Sequence, residues 1–541
     1  MSWMKKAALL VAVAIVPACG GGSSGSGGMS SGPFIPVAWF VATAHATGVA
    51  ELFAADADGS TIVPLSGVLE AAAQGVVSFK LSPNRKYVAF VAQIFAPPAG
   101  FFLYVVPSDG GVPALVTFGS VGDGTVPQYD WSPDGSRIAY IHDGNSFGTF
   151  ELYVANFDGT GGVKVNQTAA LDRDVFSFKW SPDGTRLAYL ADEDTNDVHD
   201  LYTALADGTG ATKVNGTLDP FTAVGQYAWA PDGSRIAYLA NQGDPGFFPV
   251  YTALADGTGN VLVSPLQAFS ESGNGFVSTP FFQWAPDSSR IAYLADQEVN
   301  GKIELFTVLP DGTGNVKVSG TLTAGGNVSS PNLTYAWSPD SALLAFIADK
   351  DADEDFALYV ATPTGSSVTK VSPALVAGGD VSMFGWAPDS SRLAYVADQD
   401  VDEQFELYSV RPNGTSPVRV SGVTAAGGDL LDFAWSPDSS QLAYVADQRL
   451  DGQFELFVST ATGTGNRRLS GDLVAGGDVS SPVPGRFFEW TLDGKSVVYI
   501  ADQDTDEVYE VFASPLSGNA GNARICTPLA LGGDAGSIAT R

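Results

Sequence analysis

Three acidic stretches of the chain share one spacing. Asp398, Asp400, Asp402 and Glu406 stand at relative positions one, three, five and nine. Asp502, Asp504, Asp506 and Glu510 repeat the order, and Asp192, Asp194, Asn196 and Asp200 follow it with one amide. Alternating oxygen ligands on a tight loop are what a hard cation needs, and Ca2+ is the cation this set suits. The sixth position is Glu403, Glu507 or Asp197, where a calcium loop places glycine for its sharp turn. Acid at the ninth position also recurs without the triplet, at Glu151 and Glu455. A solvated acidic hairpin is therefore the second reading of the same residues.

Residues for covalent or acid–base chemistry are sparse. Gly144-Asn145-Ser146-Phe147-Gly148 matches the nucleophile-elbow pattern, with His142 close by, but it falls between two strand-like segments and not on a strand-to-helix turn. His45, His142 and His199 are the only histidines and lie in different repeats, which disfavours a histidine-based metal or proton-transfer site. No catalytic residues are expected. A hydrolase or lyase acting on glycan or peptide, and a structural surface protein, are the alternative readings.

The elements that must position these residues are set by a repeat. Trp131-Ser132-Pro133-Asp134 recurs at Trp180, Trp229, Trp284, Trp337, Trp386 and Trp435, with a worn copy at Trp490-Thr491-Leu492-Asp493 and an opening one at Leu81-Ser82-Pro83-Asn84. Successive tryptophans lie 49 to 55 residues apart. Short strands repeating at about this interval make a β-propeller. One unit reads as strand, Pro-Asp turn, apolar strand (Arg392 to Ala397), acidic loop, strand (Phe405 to Val410), Asn413-Gly414 hairpin and short strand (Val418 to Val420). The fold class is all-β, with four-stranded antiparallel blades and about ten repeats. The second-to-fourth-strand pattern occurs ten times and the first-strand element nine times. The missing copy is expected in the C-terminal tail, where Gly532-Gly533-Asp534-Ala535 matches the lead-in Gly378-Gly379-Asp380-Val381 and Ser537-Ile538-Ala539-Thr540 follows. One ring closed by this tail is the expectation, which removes an exposed strand edge; two smaller rings are the alternative.

Strand alternation then segregates charge. Pro-Asp turns and Asp-Gly-Thr-Gly turns (Asp207, Asp256, Asp311) share one face of the disc. The acidic loops and the Gly-Gly-Asp lead-ins, ending at Asp380, Asp429, Asp478 and Asp534, share the other, which is the candidate binding face. The repeated tryptophans read as packing at blade seams, since stacked units need the same residue in the same place. A sugar-stacking surface is the alternative.

Lys+Arg 27 against Asp+Glu 59 gives a formal charge of −32, which repels phosphate backbones and favours cations or basic protein patches. Nucleic acid is not an expected partner. Cys526 would be the only thiol of the folded part, read as a small buried hydrophobe. At the N-terminus, Lys5 and Lys6 precede an apolar run from Ala7 to Val16 that is too short to span a bilayer. Val16-Pro17-Ala18-Cys19 with the following Gly20 to Gly28 tract resembles a bacterial lipoprotein signal. That resemblance implies acylation of Cys19, a signal peptide over 1–18, a Gly/Ser tether over 19–33 and a propeller over 34–541. Glycine rather than aspartate after Cys19 implies the outer membrane, with the lipid anchor as the only membrane contact.

The W-[SA]-P-D-[GS] turn, the R-[IL]-A-Y strand and the E-L-Y strand resemble the repeats of the TolB family, a periplasmic propeller, over about residues 37 to 530. The family's domain preceding the propeller has no counterpart in the sequence. The resemblance implies a propeller of the cell envelope that binds an envelope protein or peptide.

Overall fold

The computed structural model describes residues 38–540 apart from 44–49, 57–58, 68–72, 95–98, 118–123, 144–147, 168–172, 219–221, 243–247, 265–281, 329–334, 426, 481–487, 518–521 and 526–537. Its strands form eight four-stranded sheets and one eight-stranded sheet, with no helix among the described residues. The large sheet is two blades joined by a single parallel pairing of Ala50 with Gly75. Gly75 has φ +104°, and a Cβ there would meet Ala50 backbone atoms, so only glycine allows this approach. The chain is thus a β-propeller, and its described residues form ten four-stranded antiparallel blades.

Blade 1 combines Ala38–Thr43, Ala50–Ala55 and Ile62–Pro64 with the C-terminal strand Ile538–Thr540. Blades 2 to 10 follow in chain order. Blade 4 opens at Val175–Trp180, blade 8 at Val381–Trp386, blade 9 at Leu430–Trp435 and blade 10 at Phe488–Trp490. The C-terminal strand pairs antiparallel with the first one, placing Ala38 opposite Thr540, Trp39 opposite Ala539 and Phe40 opposite Ile538.

Second strands read as continuous apolar runs because both faces of each sheet are covered by a neighbouring blade. In Arg186–Ala191, every residue after the arginine is buried. The last aromatic of the R-[IL]-A-Y strand lies across from the aromatic of the E-L-Y strand. Tyr395 stacks on Tyr408 at 5.4 Å, and every blade from Phe40–Phe53 to Tyr499–Phe512 has such a pair. A pair of this kind adds about 0.5–1.5 kcal/mol beyond its area burial.

The core is divided among the seams between successive blades. Ala394, Val396 and Leu407 of blade 8 join Phe433, Leu442 and Tyr444 of blade 9 in one cluster. Ala38, Phe40 and Phe53 of blade 1 join Val498, Ile500 and Val511 of blade 10 in another. The repeated tryptophans stitch these seams. Each indole N–H donates to a backbone carbonyl of the preceding blade, from Trp131 to Lys80 at 3.1 Å through Trp490 to Ala434 at 3.1 Å. They are seam residues.

The Pro-Asp turn contributes a second stitch. Its fourth residue takes a left-handed conformation, given to glycine at Gly135, Gly184, Gly233 and Gly494 but to serine at Ser288, Ser341, Ser390 and Ser439, with φ of 62–64°. Each serine hydroxyl accepts the backbone N–H of the preceding blade's turn aspartate: Asp232, Asp287, Asp340 and Asp389, at 2.9–3.1 Å. A hydrogen bond of about 1 kcal/mol offsets much of the conformational cost of about 1–2 kcal/mol.

Candidate functional site

On the candidate face, the acidic loop of blade 8 sends its carboxylates to three different places. Asp398 is 3% exposed. Its Oδ1 accepts the N–H of Asp380 at 2.5 Å and its Oδ2 the N–H of Glu403 at 3.0 Å, so it ties the loop to the lead-in. Asp402 lies over Gly378, whose φ is +87°; a Cβ there would sit 3.0 Å from Asp402 Oδ1. Asp400 and Glu406 turn toward the fourth strand. Arg419 Nη1 lies 3.9 Å from Asp400 and 3.2 Å from Glu406, and the Tyr408 hydroxyl donates to both acids at 3.1 and 2.9 Å.

Blade 10 is built the same way. Asp502 accepts the N–H groups of Asp478 and Glu507 at 2.5 and 3.0 Å, and Asp506 crowds Gly476. Asp504 and Glu510 share Arg524 at 2.9 and 3.4 Å. In blade 4, Asp192 accepts from Asp174 and Asp197, while Asp194 and Asp200 share Lys213 at 3.2 and 2.6 Å. Asn196 donates to Asp197 at 3.2 Å. Among the described residues, no group of three or more His, Cys, Asp or Glu side chains is arranged to hold a metal ion. The residues that suggested Ca2+ ligands are adjacent in sequence and divergent in direction.

The lead-in aspartates link neighbouring blades. Asp380 accepts the N–H of Phe356 at 2.8 Å, and Asp478 that of Phe454 at 2.7 Å. The N–H of Asp429 donates to Asp447 at 2.5 Å. Burial, followed by repulsion from nearby carboxylates, raises the carboxyls of Asp380, Asp429 and Asp478 above the ordinary value of 3.8. Asp534, Cys19, Cys526, His45 and residues 144–147 of the elbow-like motif lie outside the described residues. His142 and His199 are pushed below their ordinary value chiefly by burial, and His199 stacks on Phe176 at 3.8 Å.

A cation opposite six of the third-strand acids was missed in reading the sequence. Lys164 pairs with Glu151, Lys213 with Asp200, Lys317 with Glu304, Arg419 with Glu406, Arg468 with Glu455, and Arg524 with Glu510. The signal was available: the two residues stand 13 apart in five blades and 14 in the last. These acids are nearly buried, so each pair neutralises a charge that would be costly alone.

Opposed carboxyl shifts fix the pH response. The lead-in carboxyls are raised, so the folded state gains stability as pH falls through their folded values toward 3.8. The turn aspartates behave oppositely. A hydrogen bond from Ser132, followed by those from Ser136, holds Asp134 at about 2, and Asp183, Asp389 and Asp438 are lowered by the same serine or threonine contacts. Their stabilisation is lost as pH falls below 3.8. Relief of self-repulsion in a chain of charge −32 adds to the first effect. The melting temperature is expected to rise from about pH 8 to about pH 5 and to fall steeply between about pH 4 and 2. A melting temperature that falls steadily from pH 8 downward would contradict these assignments.

Residues 52–203 match the lipoprotein LpqB beta-propeller domain family. No curated protein matches the sequence. Among solved structures, a putative TolB from Agrobacterium tumefaciens is 20% identical over 44% of this chain and 79% of its own, with a TM-score of 0.27. The β-propeller domain of the Trilobed protease from Pyrococcus furiosus is 11% identical over 62% and 95%, with a TM-score of 0.30. An oligogalacturonate lyase in complex with manganese is 13% identical over 62% and 88%, with a TM-score of 0.32. No activity is carried over from any of them. With its described strands gathered into blades and residues 52–203 matching the propeller domain of lipoprotein LpqB, the chain has a β-propeller fold and is similar to that family over this segment.

Proposed function

We propose that this propeller is a non-catalytic, lipid-anchored scaffold of the bacterial envelope, which binds a protein or peptide with a basic patch through its acidic face. The observation that carries the reading is at the loop tips. The sixth loop position needs a left-handed backbone, and in two loops glycine supplies it, at Gly301 and Gly452. In four others Asp197, Glu354, Glu403 and Glu507 take it, with φ of 60–62°. All four are exposed. A non-glycine residue there costs about 1 kcal/mol or more, so four outward carboxylates are kept against local preference. Val299, Val401 and Leu450 stand at the same tips, 54–59% exposed, and add apolar contact to the charge.

Replacing Glu354, Glu403 and Glu507 by glycine removes charge without disturbing the loop backbone. The variant should keep its melting temperature and lose whatever the wild type captures from envelope extracts at low salt. Identical capture with identical salt dependence would sink the reading. The anchor is tested separately. Cys19→Ser should move the protein from the membrane to the soluble fraction, because no thiol remains near the N-terminus to be acylated. A Cys19→Ser protein that still pellets with membranes and incorporates palmitate would contradict it.

A further inference from the structure

The face opposite the acidic loops carries an arrangement repeated through blades 4 to 6, from which blade 8 departs by adding a cation. In blades 4, 5 and 6 the second strand begins at Arg186, Arg235 and Arg290. Each guanidinium bonds a third-strand threonine and the turn carbonyl of Gly210, Gly259 or Gly314 at 2.6–3.3 Å. The turn aspartates Asp207, Asp256 and Asp311 are held low first by hydrogen bonds from Thr209, Thr258 and Thr313, and in smaller part by Arg137, Arg186 and Arg235. Arg137, Arg186 and Arg235 therefore each face the turn aspartate of the next blade, whereas Arg290 meets Thr364 of blade 7 at that place.

At blade 8 the departure is larger, because a second arginine is added and its own turn acid is missing. Arg392 keeps the conserved contacts within its blade, donating to Ser409 Oγ at 2.7 Å and the Ser416 carbonyl at 2.9 Å. The next blade offers it Thr462 where the aspartate would stand. Its own turn has Asn413 in place of that acid and Arg411 in place of Leu205, Leu254 or Leu309. Two carboxylates are absent and one cation is added. Arg392, Arg411, Asn413, Ser391, Pro412 and Thr462 line one cleft of about 620 Å³ between blades 8 and 9. Arg392 is 9% exposed, and burial followed by the Arg411 charge pushes its guanidinium down. Among the described residues, neither arginine forms an ion pair. In a chain of charge −32, two guanidinium groups facing one cleft without a counter-ion form an unusual local field.

We propose that this cleft is an oxyanion site, in which Arg411 and Arg392 receive the oxygens of a carboxylate or phosphate group and Ser391, Asn413 and Thr462 supply neutral hydrogen-bonding partners. The guanidinium fork of Arg411 matches two oxygens at once, while Arg392, whose Nε and Nη2 bond Ser409 and Ser416, offers its Nη1. Arg392 is held in place by Ser409 and Ser416, so it loses little freedom on binding, whereas Arg411 is exposed and closes onto the ligand.

The test is calorimetric titration of the full chain with inorganic phosphate and, separately, with succinate in low-salt buffer. Saturable binding of either is expected, and which one binds identifies the oxyanion. Arg411→Leu, and Asn413→Asp combined with Thr462→Asp, restore the residues of the sibling blades and so should fold normally, with the melting temperature as control. Each should weaken binding by about tenfold or more, since each removes or neutralises a charge-assisted contact. No saturable heat with either probe up to about 10 mM, or unchanged affinity in both variants, would overturn the proposal.

Discussion

Deleting residues 538–541 should lower the melting temperature by several degrees and make the protein aggregate. The strand Ile538–Thr540 is the edge partner of Ala38–Thr43, with three residue pairs in register. Ala38, Trp39 and Phe40 are at most 1% exposed, and Ala38 and Phe40 belong to the seam with blade 10 while Trp39 belongs to the seam with blade 2. At about 1 kcal/mol per hydrogen bond plus lost apolar burial, the deletion should cost about 3–5 kcal/mol. A free strand edge is also a template for pairing with a second chain, so the loss should appear as aggregation as well as early melting. Ala539→Pro removes one backbone donor from the middle of the pairing and should reproduce part of the effect. Removing Arg541 alone should do nothing. We infer from this pairing, and from the cluster shared by blades 1 and 10, a single ring closed by the tail. A deletion variant that melts like the wild type and stays monodisperse would leave the ring to close by other means.

The blades were legible because the residues that make them act within their own repeat or on an adjacent one at a fixed interval. Trp435 marks a seam, Pro437 and Asp438 mark a turn, and Tyr444 marks a core strand, whatever the rest of the chain does. The tail was legible for the same reason, since Gly532-Gly533-Asp534 copies a lead-in. The acidic face was not legible at the level of single side chains. Asp398, Asp400 and Asp402 look alike in sequence, yet one is buried on backbone N–H groups, one faces an arginine and one covers a glycine. Their directions depend on the left-handed turn at Glu403 and on partners about 20 residues away in either direction. Alternate spacing puts oxygens close along the chain without making them converge.

Asp398→Ala is the substitution that separates a structural pin from a metal ligand. It leaves the part-buried N–H groups of Asp380 and Glu403 without the acceptor that the buried Asp398 carboxylate supplies. At about 1 kcal/mol for each hydrogen bond lost from a part-buried donor, a loss of about 2 kcal/mol is expected. Asp398→Asn keeps one acceptor oxygen but turns an NH2 donor toward the other N–H, so it should lose about half as much. Asp400→Ala should have little effect, because its pair with Arg419 is 56% exposed on the acid side and such pairs are worth about 0–1 kcal/mol. These losses should be the same in chelator and in millimolar Ca2+, because the pin acts on backbone N–H groups and not through an ion. A calcium loop would behave otherwise. Ca2+ would raise the wild-type melting temperature by linkage, and Asp400→Ala would abolish the rise. A melting curve insensitive to calcium, with Asp398→Ala the most damaging of the three, is the result the geometry calls for.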